Sequence, residues 1–172
     1  WSAVVTQGQV KSGDVVLIQG TGGVSLFALQ FAKMHGARVI ATSSSAEKLA
    51  RLEALGADHV INYAEDENWG RTARAFAGGA GVDLVVEVGG ARSLEQSLRA
   101  VRVDGMIGMI GVLSGGLAEL NLGLVVTQNL RLQGITIGNR DMLEEMIKAI
   151  DQNGLDPVID ERVYAFDAAA EG

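Results

Sequence analysis

The sequence contains no cysteine, which excludes a disulfide framework and every thiolate metal site. Proline is almost as scarce: Pro157 is the only one, and a collagen-like repeat is excluded. Long apolar runs are also missing. The longest, residues 106–113, is interrupted by Gly108 and Gly111 and is far shorter than the roughly 20 residues that span a bilayer. We therefore expect neither a disulfide-rich scaffold nor a membrane protein.

Basic residues are few as well. The chain has 14 Lys and Arg against 21 Asp and Glu, and its net charge of −7 disfavours binding to nucleic acid. No basic segment precedes an apolar stretch at the start, so we expect no signal peptide and a cytoplasmic location. With 172 residues, of which 48% are hydrophobic, the chain has the size and composition of one folded domain.

Short apolar runs alternate with amphipathic stretches, a pattern typical of βαβ units around a parallel sheet. Six strands are predicted, at 14–19, 38–42, 59–62, 83–88, 106–110 and 130–137. Helices are predicted between them, near 24–35, 46–55, 67–77, 94–101 and 141–153. Ser44 and Glu47 have the spacing of a capping box at the start of the second helix. This order predicts an α/β Rossmann fold, a doubly wound parallel sheet of six strands in the order 3-2-1-4-5-6.

The main chemical signal is a glycine-rich turn at residues 20–25, Gly-Thr-Gly-Gly-Val-Ser, which follows the first strand and opens the first helix. Unpaired amides and the positive end of the helix dipole make such a turn an anion site. Gly20 permits the tight turn, and Gly22 lets the main chain approach a pyrophosphate. Ser25 stands where the third glycine of the pattern allows close packing of the helix on the strand. The alternative is that these glycines only shape a strand-to-helix turn.

The residues after the second strand bear on the choice between NAD and NADP. NAD-specific folds place Asp or Glu about 20 residues past the turn to bind the adenosine ribose. Here Ser43, Ser44 and Ser45 occupy that place. Hydroxyls can donate hydrogen bonds to a 2′-phosphate, and Lys48 can add a positive charge, so we expect NADP to be preferred over NAD. The serines can also form a helix N-terminus with Ser44 as its cap, and both interpretations can hold together.

These segments resemble the cofactor domain of the medium-chain dehydrogenase/reductase superfamily, in particular the branch of zinc-type alcohol dehydrogenases and quinone oxidoreductases. Besides the glycine-rich turn, the matching stretches are 10–18, 39–45, 55–63, 81–90 and 156–159. The Leu-Gly-Ala-Asp run at 55–58, followed by Asn62 and Tyr63, is the most specific part. The resemblance implies hydride transfer between NADP(H) and an alcohol/carbonyl or quinone/enone substrate.

The resemblance also implies a second, GroES-like catalytic domain, encoded mostly before residue 1 and partly after residue 172. Residues 1–13 would then be the end of a linking helix, 14–155 the NAD(P)-binding domain and 156–172 the return to the catalytic domain. No catalytic residue and no metal site are assigned within this chain, and zinc dependence of the longer protein stays open. A non-catalytic dinucleotide-binding module, such as a redox sensor or a domain of a multidomain synthase, is the alternative function.

Carried over by position, the resemblance implies three groups of cofactor contacts, all after strand ends, where open sheets bind ligands. The pyrophosphate would lie above the turn at Gly20, against Thr21, Gly22, Gly23 and Val24. The adenosine 2′-phosphate would lie among Ser43, Ser44, Lys48 and Tyr63. The ribose and nicotinamide would lie beside Val88, Gly89, Gly111, Val112 and Leu113.

Three further features have expected roles. The segment from Leu130 to Ile137 alternates like an edge strand, and unprotected edges invite pairing. The family often joins this strand to its two-fold mate, so we expect a homodimer, with a monomer as the alternative. Glu87, which ends the apolar fourth strand, is expected to be a hydrogen-bonded structural acid rather than a catalytic one. His35 and His59, the only histidines, are too few for an ordinary zinc site.

Overall fold

A computed structural model of the chain describes residues 1–160 and 162–171. Its strands are β1 (Val15–Gln19), β2 (Arg38–Ser43), β3 (His59–Asn62), β4 (Val82–Glu87), β5 (Val101–Met109) and β6 (Arg131–Gly134). All neighbouring strands are parallel, and the sheet has the order β3-β2-β1-β4-β5-β6. The predicted Rossmann fold and strand order are therefore confirmed.

The helices are α1 (Gly23–Met34), α2 (Ala46–Ala54), α3 (Trp69–Phe76), α4 (Leu94–Ala100), α5 (Leu122–Thr127) and α6 (Arg140–Asn153). A short π-helical segment, Ser2–Gln7, precedes β1, and a 3₁₀ segment, Phe166–Glu171, lies near the other end. The second segment lies within residues 156–172, the stretch expected to return to a catalytic domain, of which Glu161 and Gly172 fall outside the described residues. None of the helices described is long and apolar enough to cross a membrane.

Two layers of apolar side chains cover the two faces of the sheet. On β1, Val16 and Ile18 pack toward α1, α2 and the Ser2–Gln7 segment, while Val15 and Leu17 pack toward α3 and α4. Successive side chains of a strand point to opposite faces, so a strand buried on both sides must be apolar throughout. This explains the continuous apolar run of β1, and it leaves the ends of the strands as the surface on which a ligand can bind.

Asp58, in the Leu-Gly-Ala-Asp run, ties α1 to the start of β2. Its carboxylate accepts hydrogen bonds from the Val39 amide at 2.6 Å and from Lys33 Nζ at 2.8 Å. Burial raises the pKa of the Asp58 carboxyl, but the hydrogen bonds from Lys33 and Val39 and the nearby positive charges lower it by more. The net pKa lies below the usual value of aspartate, because the folded protein stabilises the ionised form.

The structure corrects several predicted element boundaries. β5 begins at Val101, five residues before the predicted strand, because Val101 is fully buried in extended conformation and pairs with Val82. Helix α5 was not predicted, and β6 is shorter than the predicted strand. The cap of α2 is Ser45 rather than Ser44, since the helix begins at Ala46 and the Ser45 hydroxyl faces the Lys48 amide at 3.5 Å.

Candidate functional site

The glycine-rich turn joins the carboxyl end of β1 to the amino end of α1. Gly20 has a φ of +77°, which favours glycine, and its amide donates to the Thr42 carbonyl at 2.7 Å. Gly22 is the N-cap of α1 and offers no side-chain capping group. The first amides of a helix have no intrahelical acceptor, so the amides of residues 23–25 and the positive end of the helix dipole face the space above the turn.

Two of the turn's glycines have no structural reason to be glycine. Apart from its chain neighbours and the backbone of α1, a Cβ atom added at Gly22 or Gly23 would have no atom of the described residues within 4 Å, and neither residue has a positive φ. Both residues are exposed. The fold itself therefore tolerates a side chain at these positions, and the space that a side chain would occupy is open to a ligand that approaches the main chain.

Ser25 is packed between the end of β1 and the first turn of α1. Its side chain is buried, and its hydroxyl donates to the carbonyl oxygen of Gln19 at 2.5 Å. The hydrogen bond therefore holds the side chain of Ser25 against the end of β1. The serine thus replaces the missing glycine and links the end of β1 to the first turn of α1.

A cavity of about 390 Å³ opens beside Gly20, on the side of the sheet covered by α3 and α4. Four of the predicted cofactor residues line it besides Gly20: Tyr63, Val88, Gly89 and Leu113. Its other walls are Gln19, Thr42, Trp69, Arg92, Ser93 and Ser114, which the sequence did not indicate as site residues. The lining is mostly apolar and includes two aromatic residues together with Arg92 and hydroxyl-bearing residues, a composition that suits a flat ring with polar substituents.

The predicted 2′-phosphate residues are spread around the ends of β2 and β3. Ser44 and Lys48 are exposed at the start of α2, whereas Ser43 is buried, with only 3% of its surface exposed. The Tyr63 amide donates to the Ser43 carbonyl at 3.0 Å, so Ser43 holds the Tyr63 main chain in place beside the cavity. The side chains available to a phosphate are therefore the hydroxyl of Ser44, the ammonium group of Lys48 and the Tyr63 side chain, which is about half exposed.

A larger cavity of about 740 Å³ lies on the opposite face, between α1, α6 and the Ser2–Gln7 segment. Gly23 and Val24 of the turn line it, so the turn borders both cavities. Most of its walls are apolar, and residues from the ends of β5 and β6 contribute: Ile110, Ile135, Thr136 and Gly138. No motif marked these four residues, because residues that follow a strand look alike in the sequence whether or not they border a cavity.

The loops that follow β4 and β5 are bound to each other. Ser114 donates from both its amide and its hydroxyl to the Gly89 carbonyl, each at 2.7 Å, and its hydroxyl accepts from the Arg92 amide. A Cβ atom on Gly111 would lie 2.6 Å from the Val88 carbonyl oxygen, so these two loops pack with no space for a side chain there. Val112 is mostly exposed beside them. The residues predicted to lie beside the nicotinamide therefore belong to two loops that are in direct contact.

The two histidines lie apart from each other, and each packs against an aromatic ring. His35, at the end of α1, packs edge-on against Trp1, and the ring of His59 stacks on Phe76 at 4.3 Å. Over residues 1–160 and 162–171, no three His, Asp or Glu side chains converge as metal ligands do. The chain also contains no cysteine, the other common zinc ligand.

Comparison with known proteins gives a consistent family match. A family model described as zinc-binding dehydrogenase matches residues 23–152. A zinc-type alcohol dehydrogenase-like protein of Schizosaccharomyces pombe is 42% identical over 95% of this chain and 48% of its own length. A probable quinone oxidoreductase of Leishmania amazonensis is 38% identical over 62% of this chain and 32% of its own. The chain thus spans half or less of the length of these relatives.

Solved structures show the same similarity. A protein assigned as an alcohol dehydrogenase from Sinorhizobium meliloti 1021 has a TM-score of 0.93 and 47% identity, over 99% of this chain and 50% of that one. An NAD-dependent alcohol dehydrogenase has a TM-score of 0.84 and 37% identity, over 92% of this chain and 46% of its own length. A mycobacterial protein in complex with NADPH has a TM-score of 0.80 and 28% identity, over 91% of this chain and 50% of its own length.

Proposed function

The chain belongs to the zinc-binding dehydrogenase family, and from this premise we propose that it is the nucleotide-binding domain of an oxidoreductase that prefers NADP(H). The longer protein would transfer hydride between the nicotinamide and an alcohol/carbonyl or quinone/enone substrate. The cofactor supplies the hydride chemistry when bound, and this chain binds and orients it. Residues 1–13 and 156–172 would connect it to a catalytic domain, which suits relatives about twice as long.

The observation that carries the proposal is the open space over Gly22 and Gly23. A turn that served folding alone would need glycine only at Gly20, where φ is +77°. Glycines without a conformational or packing requirement, at the exposed N-terminus of α1, suit close approach of a diphosphate to the main-chain amides. The cavities on either side of the turn then provide room for the two nucleoside halves of a dinucleotide.

The preference for NADP rests on the residues after β2. No carboxylate lies among residues 41–46, and the exposed Ser44 and Lys48 can bind a 2′-phosphate. Relatives differ in this respect, since one neighbour is named NAD-dependent and another was solved with NADPH. The preference is therefore a proposal about these side chains, and it is separable from dinucleotide binding itself.

Titration calorimetry of the 172-residue chain with NADPH and NADH tests both parts. We expect both to bind and NADPH to bind about tenfold more tightly, the effect of about 1.4 kcal/mol from the extra phosphate contacts. Equal affinity, or tighter NADH binding, would overturn the preference alone. Failure of both to bind would overturn the domain assignment.

We also expect no substrate turnover by this chain, and measurable turnover would refute the assignment of catalysis to another domain.

We also propose that two copies of the chain pair through β6. Within the described residues this strand lies at the edge of the sheet and pairs with β5 alone, and an open edge offers unpaired amides and carbonyls. Ile137, shortly after the strand, is 90% exposed, and Leu122 and Val126 of α5 expose apolar side chains as well. A second copy in two-fold arrangement would pair the edge and extend the sheet across both copies.

A further inference from the structure

Glu87 is a fully buried carboxylate at the end of β4, with 0% of its surface exposed. Burying such a group is costly unless hydrogen-bond donors surround it. Five donors do so. The amides of Gly89 and Gly90 donate to Oε1 at 2.8 and 2.9 Å, and the Ser93 hydroxyl donates to the same oxygen. Oε2 accepts from Gln19 Nε2 at 2.7 Å and from the Ser97 hydroxyl. No cation is among these partners.

Gln19 completes the arrangement from the neighbouring strand. Its Nε2 donates to Glu87, and its Oε1 accepts from the amides of Val88 and Gly89 at 3.2 Å each. The side chains of Gln19 and Glu87 therefore accept hydrogen bonds from three successive main-chain amides, those of residues 88–90. This group of contacts, formed by Gln19 and Glu87 on the loop 88–90, is called the carboxylate–amide clamp.

The clamp holds a loop that borders the proposed cofactor site. Val88, Gly89 and Gln19 itself line the smaller cavity, and the other side of the loop is bound by Ser114 through the Gly89 carbonyl. The fit is close, since a Cβ atom on Gly89 would clash with the Ser93 hydroxyl and lie 3.3 Å from Glu87 Oε1. The main-chain orientation at residue 89 thus depends directly on the carboxylate.

We infer that Glu87, together with Gln19, is a positioning residue for cofactor binding: the carboxylate–amide clamp fixes the direction of the residue 88–90 main chain against which the dinucleotide lies. The inference rests on the proposed function. It goes beyond a structural acid, because a role in packing alone would be filled by an apolar side chain of similar size, whereas five donors converge on this one.

Glu87→Gln tests the clamp with almost no change in shape. The glutamine amide offers one oxygen and one NH₂ group in place of two oxygens, so a donor then faces the Gln19 NH₂ group. If Gln19 turns its amide to relieve this contact, its NH₂ group faces the Val88 and Gly89 amides. Neither arrangement satisfies all donors, and buried donors without acceptors are unfavourable.

The double variant Gln19→Glu/Glu87→Gln, called the exchanged pair, restores the balance. The carboxylate now at position 19 would accept from the amides of residues 88 and 89 with one oxygen. Its other oxygen would accept from the side-chain NH₂ group now at position 87 and from the Ser97 hydroxyl. The side-chain oxygen at position 87 would accept from the amides of residues 89 and 90 and from the Ser93 hydroxyl. Because every donor regains an acceptor, the exchanged pair should rescue what the single variant loses.

The experiment compares four forms of the 172-residue chain: the unmodified chain, Glu87→Gln, the exchanged pair, and the control Glu95→Gln at an exposed carboxylate of α4. NADPH binding is measured by calorimetry and the protection of the residue 88–90 amides by hydrogen exchange without ligand. We expect Glu87→Gln to weaken NADPH binding about tenfold and to lose protection, and the exchanged pair to return to within about threefold of the unmodified chain. Glu95→Gln should match the unmodified chain.

The outcomes separate this inference from the proposed function. If the unmodified chain binds neither NADPH nor NADH, the proposed function fails and the positioning role fails with it. If it binds tightly and Glu87→Gln binds equally well, the positioning role alone is wrong. Weak binding by both Glu87→Gln and a folded exchanged pair would also contradict it. Should Glu87→Gln not fold, Ser93→Ala removes one donor from Oε1, and a binding loss of about threefold is then expected.

Discussion

The hydroxyl of Ser25 lies 2.5 Å from the main-chain carbonyl oxygen of Gln19 and donates a hydrogen bond to it. This contact joins the last residue of β1 to the first turn of α1, across the glycine-rich turn. The side chain of the same Gln19 supports the loop 88–90. The end of β1 therefore organises two of the elements on which the proposed dinucleotide site depends, the turn through its main chain and the loop through its side chain.

Gly22→Ala should weaken cofactor binding while leaving the fold intact. Apart from its chain neighbours, the added methyl group would meet no atom of the described residues within 4 Å, but it would stand in the space proposed for the diphosphate. We expect at least a roughly tenfold loss of NADPH and NADH affinity and a cost in unfolding free energy below about 1 kcal/mol, the difference between Gly and Ala as N-caps. Calorimetry and urea unfolding measure the two effects. Gly134→Ala, also in open space, is the matched control, and normal binding by Gly22→Ala would contradict the diphosphate cradle.

Lys48→Glu should affect NADPH selectively. Lys48 is exposed in the first turn of α2, and reversing its charge replaces attraction of the 2′-phosphate by repulsion. We expect NADPH affinity to fall about tenfold and NADH affinity to change less than about twofold, since NADH lacks that phosphate. Lys148→Glu, an exposed lysine of α6, controls for the change in net charge. An equal loss for both cofactors would show that Lys48 does not recognise the extra phosphate.

Asp58→Asn should destabilise the fold in a pH-dependent way. The folded state lowers the pKa of Asp58, so its ionised form stabilises the protein above the pKa of the unfolded chain, and this contribution is lost as pH falls through the lower folded pKa. At pH 7 we expect a loss of about 1–2 kcal/mol in unfolding free energy, from the charged hydrogen bonds to Val39 and Lys33. Urea unfolding should show this difference shrinking below about pH 4. Glu53→Gln, on the exposed side of α2, should show neither effect.

Gly134→Pro should disrupt pairing at the open edge of β6. The Ile135 amide donates to the Met109 carbonyl at 2.9 Å, so the alternate residue Gly134 directs its amide away from β5. A proline there removes an outward donor without removing a bond to β5. Light scattering coupled to size-exclusion chromatography should report a dimer for the unmodified chain and a monomer for Gly134→Pro. Gly134→Ala should remain dimeric, and a monomeric unmodified chain would refute pairing through β6.

Much of the fold follows from local sequence patterns. The limits of β3, the end of α6 at Asn153 and the strand order all agree with the prediction. Boundaries failed where a local signal was ambiguous. Ser44 and Ser45 are both good caps, and the choice of Ser45 depends on where β2 stops pairing with β3. Val101 suits the end of a helix as well as the start of a strand, and its pairing with Val82 decided for the strand.

The sequence by itself determined the parallel sheet, the place of the glycine-rich turn and the absence of a carboxylate from residues 41–46, because apolar periodicity and turn chemistry operate over a few neighbouring residues. Only the tertiary structure decided that Ser43 is buried, that Arg92 and Trp69 share a cavity with Tyr63, and that Glu87 meets Gln19. Gln19 and Glu87 stand 68 residues apart. Contacts at that separation depend on how strands and loops pack, and no local pattern encodes them.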